Sequence, residues 1–251
     1  MKGIPMGDLC ICRDLHALRD FAEAAIQKGM KTLSCVIRDQ SLEQSAFDAL
    51  CAEYDGQLQI LSVQAGAQSP ILSFDYSIGE IEKICFDDKV ISFPKTEEEV
   101  RACIPWKQDI YRFLRACMEK MARLVDGDVA PEVIRLLDLD LLWNANGAWF
   151  DANDRRYLGY VLKATDALLQ KDVVFEVRVL KHQKGRSPIL YPPLLALRRI
   201  GERRGRVMLA SEATAPDQLG ASYGEAIALL RACGIGCVYY REKNGWKSKA
   251  I

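Results

Sequence analysis

The chain predicts an α/β barrel, and three observations carry that expectation. Segments of strand character alternate with segments of helical periodicity from one end to the other, the pattern of parallel strands joined by helical crossovers. Roughly seven such units fit into the 251 residues, close to the count of a closed or nearly closed barrel. No Pro/Gly-rich linker or break in composition divides the chain, so a single domain over residues 1–251 is expected.

Residues 9–12 form a short apolar strand. Residues 15–28 then repeat Leu18, Phe21, Ala22, Ala25 and Ile26 at helical spacing and close on Gly29. Thr32–Ile37 is rich in β-formers, and Ser41-Leu42-Glu43-Gln44 has capping-box form, opening a helix to about Cys51. Residues 57–63 and 74–78 are the next strands, and 83–93 is a hairpin or irregular excursion. A second capping box, Thr96-Glu97-Glu98-Glu99, launches a helical stretch that breaks at Pro105 and runs to about Val125. Its acidic first turn complements the helix dipole. Residues 133–137 are strand-like, 154–170 helical, and 173–179 a strongly apolar strand. Pro192 and Pro193 begin a helix that ends near Gly205. Arg206–Ala210 is a strand, 223–233 a helix, 235–240 the last strand, and 241–251 a polar tail.

Hydrophobic residues make up 49%, enough for a large core. Lys+Arg and Asp+Glu are equal at 34 each, so bulk charge draws the protein neither to nucleic acid nor to a membrane. No run of about 18 apolar residues occurs and the N-terminal stretch has no signal-peptide core, so a cytoplasmic protein is expected. The nine cysteines are scattered and odd in number, which reads as free thiols and not a disulfide framework. With only His16 and His182 present, a site built on several imidazoles is excluded.

In an α/β barrel the active site lies at the C-terminal ends of the strands. The strand boundaries place Cys10, Cys12, Arg38, Asp39, Gln64, Glu82, Leu136, Asp138, Arg178 and the turn 211–214 there.

Several words of the sequence resemble the PHP (polymerase and histidinol phosphatase) superfamily. They are Asp75-Tyr-Ser-Ile-Gly79, Glu176-Val177, Tyr191-Pro-Pro-Leu-Leu195, the strand leading into Ser211-Glu-Ala-Thr214, Ala215-Pro-Asp-Gln-Leu-Gly220 and Glu225-Ala226. The family's corresponding words run D-Y-x-I-G-S-x-H, E-V-N, Y-P-x-P-x-L-L, S-D-A-H, S-P-x-D-x-G and E-A. Their order agrees along nearly the whole chain. The resemblance implies a distorted (β/α)7 TIM-like barrel and, in the family, phosphoesterase activity on up to three divalent metals held by His, Asp and Glu.

At the matched positions the metal ligands are substituted. The family's first-strand H-x-H is Cys10 and Cys12, its bridging Glu is Gln64, and the His after D-Y-x-I-G is Glu82. The His of G-H-L-D is Leu136, and the final D-x-H is Glu212 and Thr214. Cys10 and Cys12 share a strand face, so they are either a thiolate pair or two small buried hydrophobes. Glu82 and Glu212 are either ligands or ordinary loop carboxylates, whereas Leu136 can bind nothing ionic. Near the sixth strand, where the family holds substrate phosphate with basic groups, stand Arg178, Lys181, His182, Lys184 and Arg186, an anion site or a solvated basic loop.

The expectation is a degenerate, non-catalytic member with no cofactor, binding a small anionic or phosphorylated ligand or a protein partner. The enzyme alternative is a metal-dependent phosphoesterase with a rebuilt site, in which Cys10, Cys12, Glu82, Asp138 and Glu212 hold one divalent metal such as zinc. A purely structural or regulatory subunit is the third reading. Residues 83–125 are a candidate lid.

Overall fold

The computed structural model describes residues 6–39, 41–66, 73–87, 89–93, 110–127, 130–137, 144, 147, 149–180 and 189–251. Parallel strands β1 (Gly7–Cys12), β2 (Thr32–Ile37), β3 (Gln59–Ala65), β4 (Tyr76–Gly79), β7 (Val133–Ile134), β8 (Val174–Leu180) and β10 (Arg206–Ala210) line up in that order in one sheet. An antiparallel hairpin, β5 (Lys83–Phe86) and β6 (Lys89–Ser92), interrupts the sequence between β4 and β7 without joining the sheet. The short β9 (Ile189–Tyr191) pairs antiparallel with β8, and β11 (Cys237–Glu242) and β12 (Gly245–Ala250) extend the far end.

Helices form where apolar spacing and caps coincide. In α1 (Leu15–Gln27), Leu18, Phe21, Ala22 and Ala25 are buried along one stripe, and Asp14 caps the start by accepting from the Ala17 amide at 2.8 Å. Gly29, at φ +71, supplies the left-handed residue that ends it. Helix α2 (Gln44–Glu53) begins at Gln44, two residues later than the capping-box pattern suggests. Ser41 caps nothing there, because its amide and hydroxyl both donate to Asp39 instead. Helix α3 (Ile110–Ala122) buries Phe113, Leu114, Cys117, Met118 and Met121, and α4 (Arg155–Leu168) is capped by Asp154. Helices α5 (Leu194–Glu202) and α6 (Tyr223–Ala232) complete the set. The Thr96–Glu99 capping box lies outside the described residues. None of the described helices is long and apolar enough to cross a membrane.

Each parallel strand is covered on both faces. Leu9, Leu61, Val63, Tyr76, Ile78, Val133, Val174, Met208 and Ala210 pack together from six strands and fill the concave interior. The alternate residues Cys10, Cys12, Leu33, Cys35, Ile37 and Ile60 pack outward against α1 and α2, and Ile134, Leu136, Phe175, Val177, Val207 and Leu209 pack outward with α5 and α6. Burying side chains of this size contributes about 1.5–3 kcal/mol each.

The sheet curls but is not a closed barrel. Where β1 should meet β10, one bridge joins Cys10 to Ala213, and the Ile11 amide donates to Ala213 O at 2.9 Å. The chain leaves β10 through Glu212 in left-handed conformation (φ +47), so no longer ladder can form. A side chain reinforces this seam. Buried Asp8 accepts from the Leu9 amide (2.7 Å), the Ser211 amide (2.8 Å) and hydroxyl (2.6 Å), the Gly220 amide (2.7 Å) and the Tyr223 hydroxyl. Burial pushes its carboxyl above the ordinary value, and the bonds from Ser211, Tyr223 and Gly220 work against that rise.

The segment 241–251, expected to be a polar tail, is instead the end of β11, a turn and β12. This hairpin lies across the N-terminal ends of the strands. Trp246 packs edge-on against Tyr76 at 5.6 Å and donates to Glu132 just before β7. The Lys243 amide donates to Gln59 at the start of β3, and Arg241 to the carbonyl of Asp75 just before β4.

Candidate functional site

The opposite end of the sheet, where the strands finish, carries the charged side chains. Strand parity selects them. Glu80 follows Tyr76 and Ile78 on the interior face, Arg135 follows Val133, Glu176 and Arg178 follow Val174, and Glu212 follows Met208 and Ala210. On the other half of the mouth, the interior positions next to the strand ends are Ile11, Val36 and Ala65. The next positions of that parity, Arg13 and Arg38, are exposed, so the buried ionic groups lie on one side of the mouth.

Arg135 is the centre of the ionic side. Its Nε donates to Glu176 Oε2 at 2.5 Å and its Nη2 to Glu176 Oε1 at 3.0 Å, a bidentate pair. Nη1 donates to Glu80 at 2.8 Å, and Nη2 lies 2.7 Å from Glu212. One guanidinium thus ties the residues just past β4, β7 and β10 to the body of β8. Its side chain is 16% exposed and that of Glu176 is fully buried. Burial alone would weaken the charge on Arg135; the carboxylates of Glu176, Glu212 and Glu80 outweigh it and hold the guanidinium well above its ordinary pKa.

Arg178 is nearly buried, 3.8 Å from Glu212 and 5.4 Å from the Tyr191 ring centre. Tyr191 in turn donates its hydroxyl to Leu137 O. The group thus brings together three carboxylates and two guanidiniums.

The other positions singled out in the sequence are dispersed. Cys10 and Cys12 do share a face, with their sulfurs 3.4 Å apart, but it is the outward face against α1, opposite to the carboxylates. Burial, then the neighbouring thiol of Cys12, pushes the Cys10 thiol well above its ordinary value. Leu136 also packs outward, and Gln64, paired with Ser77, lies on the outward parity of β3. Glu82 is exposed, and its Oε1 would lie 1.9 Å from a Cβ built on Gly66. Thr214 is exposed, its amide and hydroxyl both directed to Gln218. Arg38 is exposed, and Asp39 accepts from Ser41. Exposed His16 lies in the first turn of α1. Asp138, Lys181, His182, Lys184 and Arg186 lie outside the described residues, as does much of the candidate lid.

The described residues do not fit the metal cluster that the resemblance implies. Among the described residues no group of three or more His, Cys, Asp or Glu side chains could hold a metal ion. The carboxylates that converge do so on a guanidinium, and the thiols face away from them. Chemically, the arrangement offers ionic ties between strands; among the described residues it contains no imidazole and no hydroxyl nucleophile paired with a base.

Arg135, Glu80 and Glu176 were not singled out as site residues by sequence reasoning, although two of them carry a signal. Arg135 stands in Val133-Ile-Arg-Leu-Leu137 and Glu176 in Val173-Val-Phe-Glu-Val177. A charge inside an apolar strand run must find a partner when buried.

No known family profile and no curated protein matches the chain. Among solved structures, the crystal structure titled "putative histidinol phosphatase hisK from Listeria monocytogenes" matches with a TM-score of 0.64 at 10% sequence identity. The match covers 87% of this chain and 99% of that one. At that identity the likeness is one of fold.

Proposed function

We propose that the chain is a PHP-type barrel relative, folded as one unit over residues 1–251, that has lost metal-dependent phosphoesterase chemistry and works by binding. The observation that carries this reading is Arg135: a guanidinium sits where the strand ends converge, and it engages three carboxylates of that region. A cation fixed by covalent attachment neither ionises a water molecule nor leaves coordination positions for a phosphoryl group, which are the services a metal supplies. The order of sequence words and the fold likeness support the ancestry; the outward placement of Cys10, Cys12 and Leu136 supports the loss.

The ligand in this reading is a small anionic or phosphorylated molecule held near Arg178 and the basic segment Lys181, His182, Lys184 and Arg186, or else a protein partner. Nucleic acid and membrane are not expected partners, and the cytoplasm is the proposed location. The rival, a divalent metal such as zinc on Cys10, Cys12, Glu82, Asp138 and Glu212, is disfavoured because the thiols and Glu212 occupy opposite faces of the sheet.

The test is metal content by mass spectrometry on protein purified anaerobically without chelators, followed by assay with p-nitrophenyl phosphate and histidinol phosphate in added manganese, zinc or iron. Less than about a tenth of an equivalent of metal, with no hydrolysis, is expected. A full equivalent together with metal-dependent hydrolysis sinks the proposal.

A further inference from the structure

The end of the sheet opposite the mouth carries a feature of its own, which does not depend on whether the mouth is catalytic. We propose that the outer edge of β12 is a docking site for an acidic, extended polypeptide segment that adds to the sheet as one more antiparallel strand. No described strand pairs with that edge. Ladder alternation shows which groups it offers. The turn at Lys243 and Asn244 pairs Glu242 with Gly245, and just past the strand the Ile251 amide donates to Gly236 O at 3.0 Å, so the odd-numbered residues bond to β11. Trp246, Ser248 and Ala250 therefore aim their backbone N–H and C=O groups away from β11, and Ser248 and Ala250 are exposed. Such a row is a template for another strand.

Charge selects the partner. Residues 241–250 hold four cations, Arg241, Lys243, Lys247 and Lys249, against one carboxylate, Glu242, in a chain whose formal net charge is zero. Glu132 lies 3.7 Å from Arg241, whereas Lys243, Lys247 and Lys249 have no carboxylate partner among the described residues. Trp246 packs towards Tyr76, so strand alternation sets Lys247 and Lys249 together on the other face. An added strand would lie about 4.8 Å away. Its residues opposite Lys247 and Lys249 would fall in non-hydrogen-bonded pairs, where side chains approach most closely. Glu or Asp at two alternate positions answers both lysines. A second copy of this chain does not. Antiparallel pairing about Ser248 would set each Lys247 against a Lys249, like charges directly opposite, which is how lysines guard an edge against self-association. The edge rejects its own sequence and suits an acidic one.

The experiment uses the full-length protein and a short labelled peptide alternating Glu and Thr, reading fluorescence anisotropy and backbone amide exchange. The peptide is expected to bind at concentrations up to about 1 mM, and more weakly as salt rises. On saturation, exchange at Ser248 should slow about tenfold or more, because its outward N–H gains an acceptor. Lys247→Glu/Lys249→Glu should weaken binding about tenfold by placing like charges opposite each other. Ser248→Pro removes one outward N–H and leaves the bonds to β11 in place, so it should also weaken binding without lowering the melting point. Should a variant emerge unfolded, the wild type decides with a peptide methylated on the backbone nitrogens that would face β12. Lost binding then supports the added strand, and unchanged binding overturns it. Absence of binding, binding without protection of Ser248, or equal affinity for a peptide alternating Lys and Thr overturns the proposal. Tighter binding of oligothymidylate, or of phosphatidylserine vesicles, would assign the lysines to phosphate groups and overturn it too. None of these outcomes touches metal content or hydrolysis, so the proposed function stands or falls separately.

Discussion

Replacing Asp8 with Asn tests whether one buried carboxyl holds the seam of the sheet. Oδ1 accepts from the amides of Leu9 and Ser211 and from the Tyr223 hydroxyl, and Oδ2 accepts from the Ser211 hydroxyl and the Gly220 amide. With the Asn oxygen at Oδ1, the new amide nitrogen faces the Ser211 hydroxyl, which can turn to accept, and the Gly220 N–H, which cannot. One buried donor is stranded, at about 1–3 kcal/mol. Losing the desolvation cost of the carboxylate returns part of that, so a net loss of about 1–2 kcal/mol at pH 7 is expected. Asp8→Ala strands several partners at once and should cost about 3 kcal/mol. The pH dependence has a defined sign. Burial raises the folded pKa of Asp8 above 3.8, so the stability it contributes is fully present below that value and is lost as pH rises through the folded pKa. The gap between wild type and Asp8→Asn should therefore widen as pH falls from neutrality towards 4. Urea unfolding at several pH values reads both quantities. A gap under about 0.5 kcal/mol at pH 7, or one that narrows on acidification, would refute the argument.

Three further outcomes follow from the packing. Alkylation mapped by mass spectrometry should find Cys85, which is exposed, modified in the native protein, while Cys10, Cys12 and Cys35, all fully buried, react only with denaturant. Early labelling of Cys10 would mean that the first strand does not pack against α1. Trp246→Ala removes the ring over Tyr76 and the bond to Glu132; a loss of about 2–4 kcal/mol in urea unfolding is expected, and an unchanged midpoint would detach the hairpin from the sheet. Gly201→Ala should lower stability by about 1–3 kcal/mol despite alanine's better helix propensity, because the new Cβ would sit 2.0 Å from the carbonyl oxygen of Cys233; a stabilised variant would show that α5 and the end of α6 lie further apart.

Much of the α/β layout was legible because strand and helix periods differ. Thr32–Ile37 and Arg206–Ala210 stand where their β-rich runs place them, and α1 follows its apolar stripe. What the sequence hid was which face of a strand looks inward. In β1, Leu9 and Ile11 are as apolar as Cys10 and Cys12, because strands covered on both faces carry no alternation to read. The resemblance to PHP proteins put the cysteines at the site, whereas the packing turns them to the helices. β12 escaped notice for the opposite reason: Lys247, Ser248 and Lys249 look like solvated tail, although Asn244-Gly245 is a hairpin turn signal. The meeting of Glu80, Glu176 and Glu212 on Arg135 depends on the register of neighbouring parallel strands, and no local pattern encodes that convergence.

A sheet that curls back on itself but meets at a single backbone bridge has an uneven resistance to opening. The ladder between β1 and β2 runs over six residue pairs, whereas β1 meets the segment after β10 only through the Ile11 amide, which donates to Ala213, and through the bonds of the Asp8 side chain. Parting that join exposes little apolar surface compared with peeling a central strand. Amide hydrogen exchange should therefore report a partial opening at Ile11 and Gly220 well below the free energy of global unfolding, with the amides of β8 exchanging only when the whole chain unfolds. The molecule would breathe along one line, beside its row of acidic side chains, while the rest of the sheet stays shut.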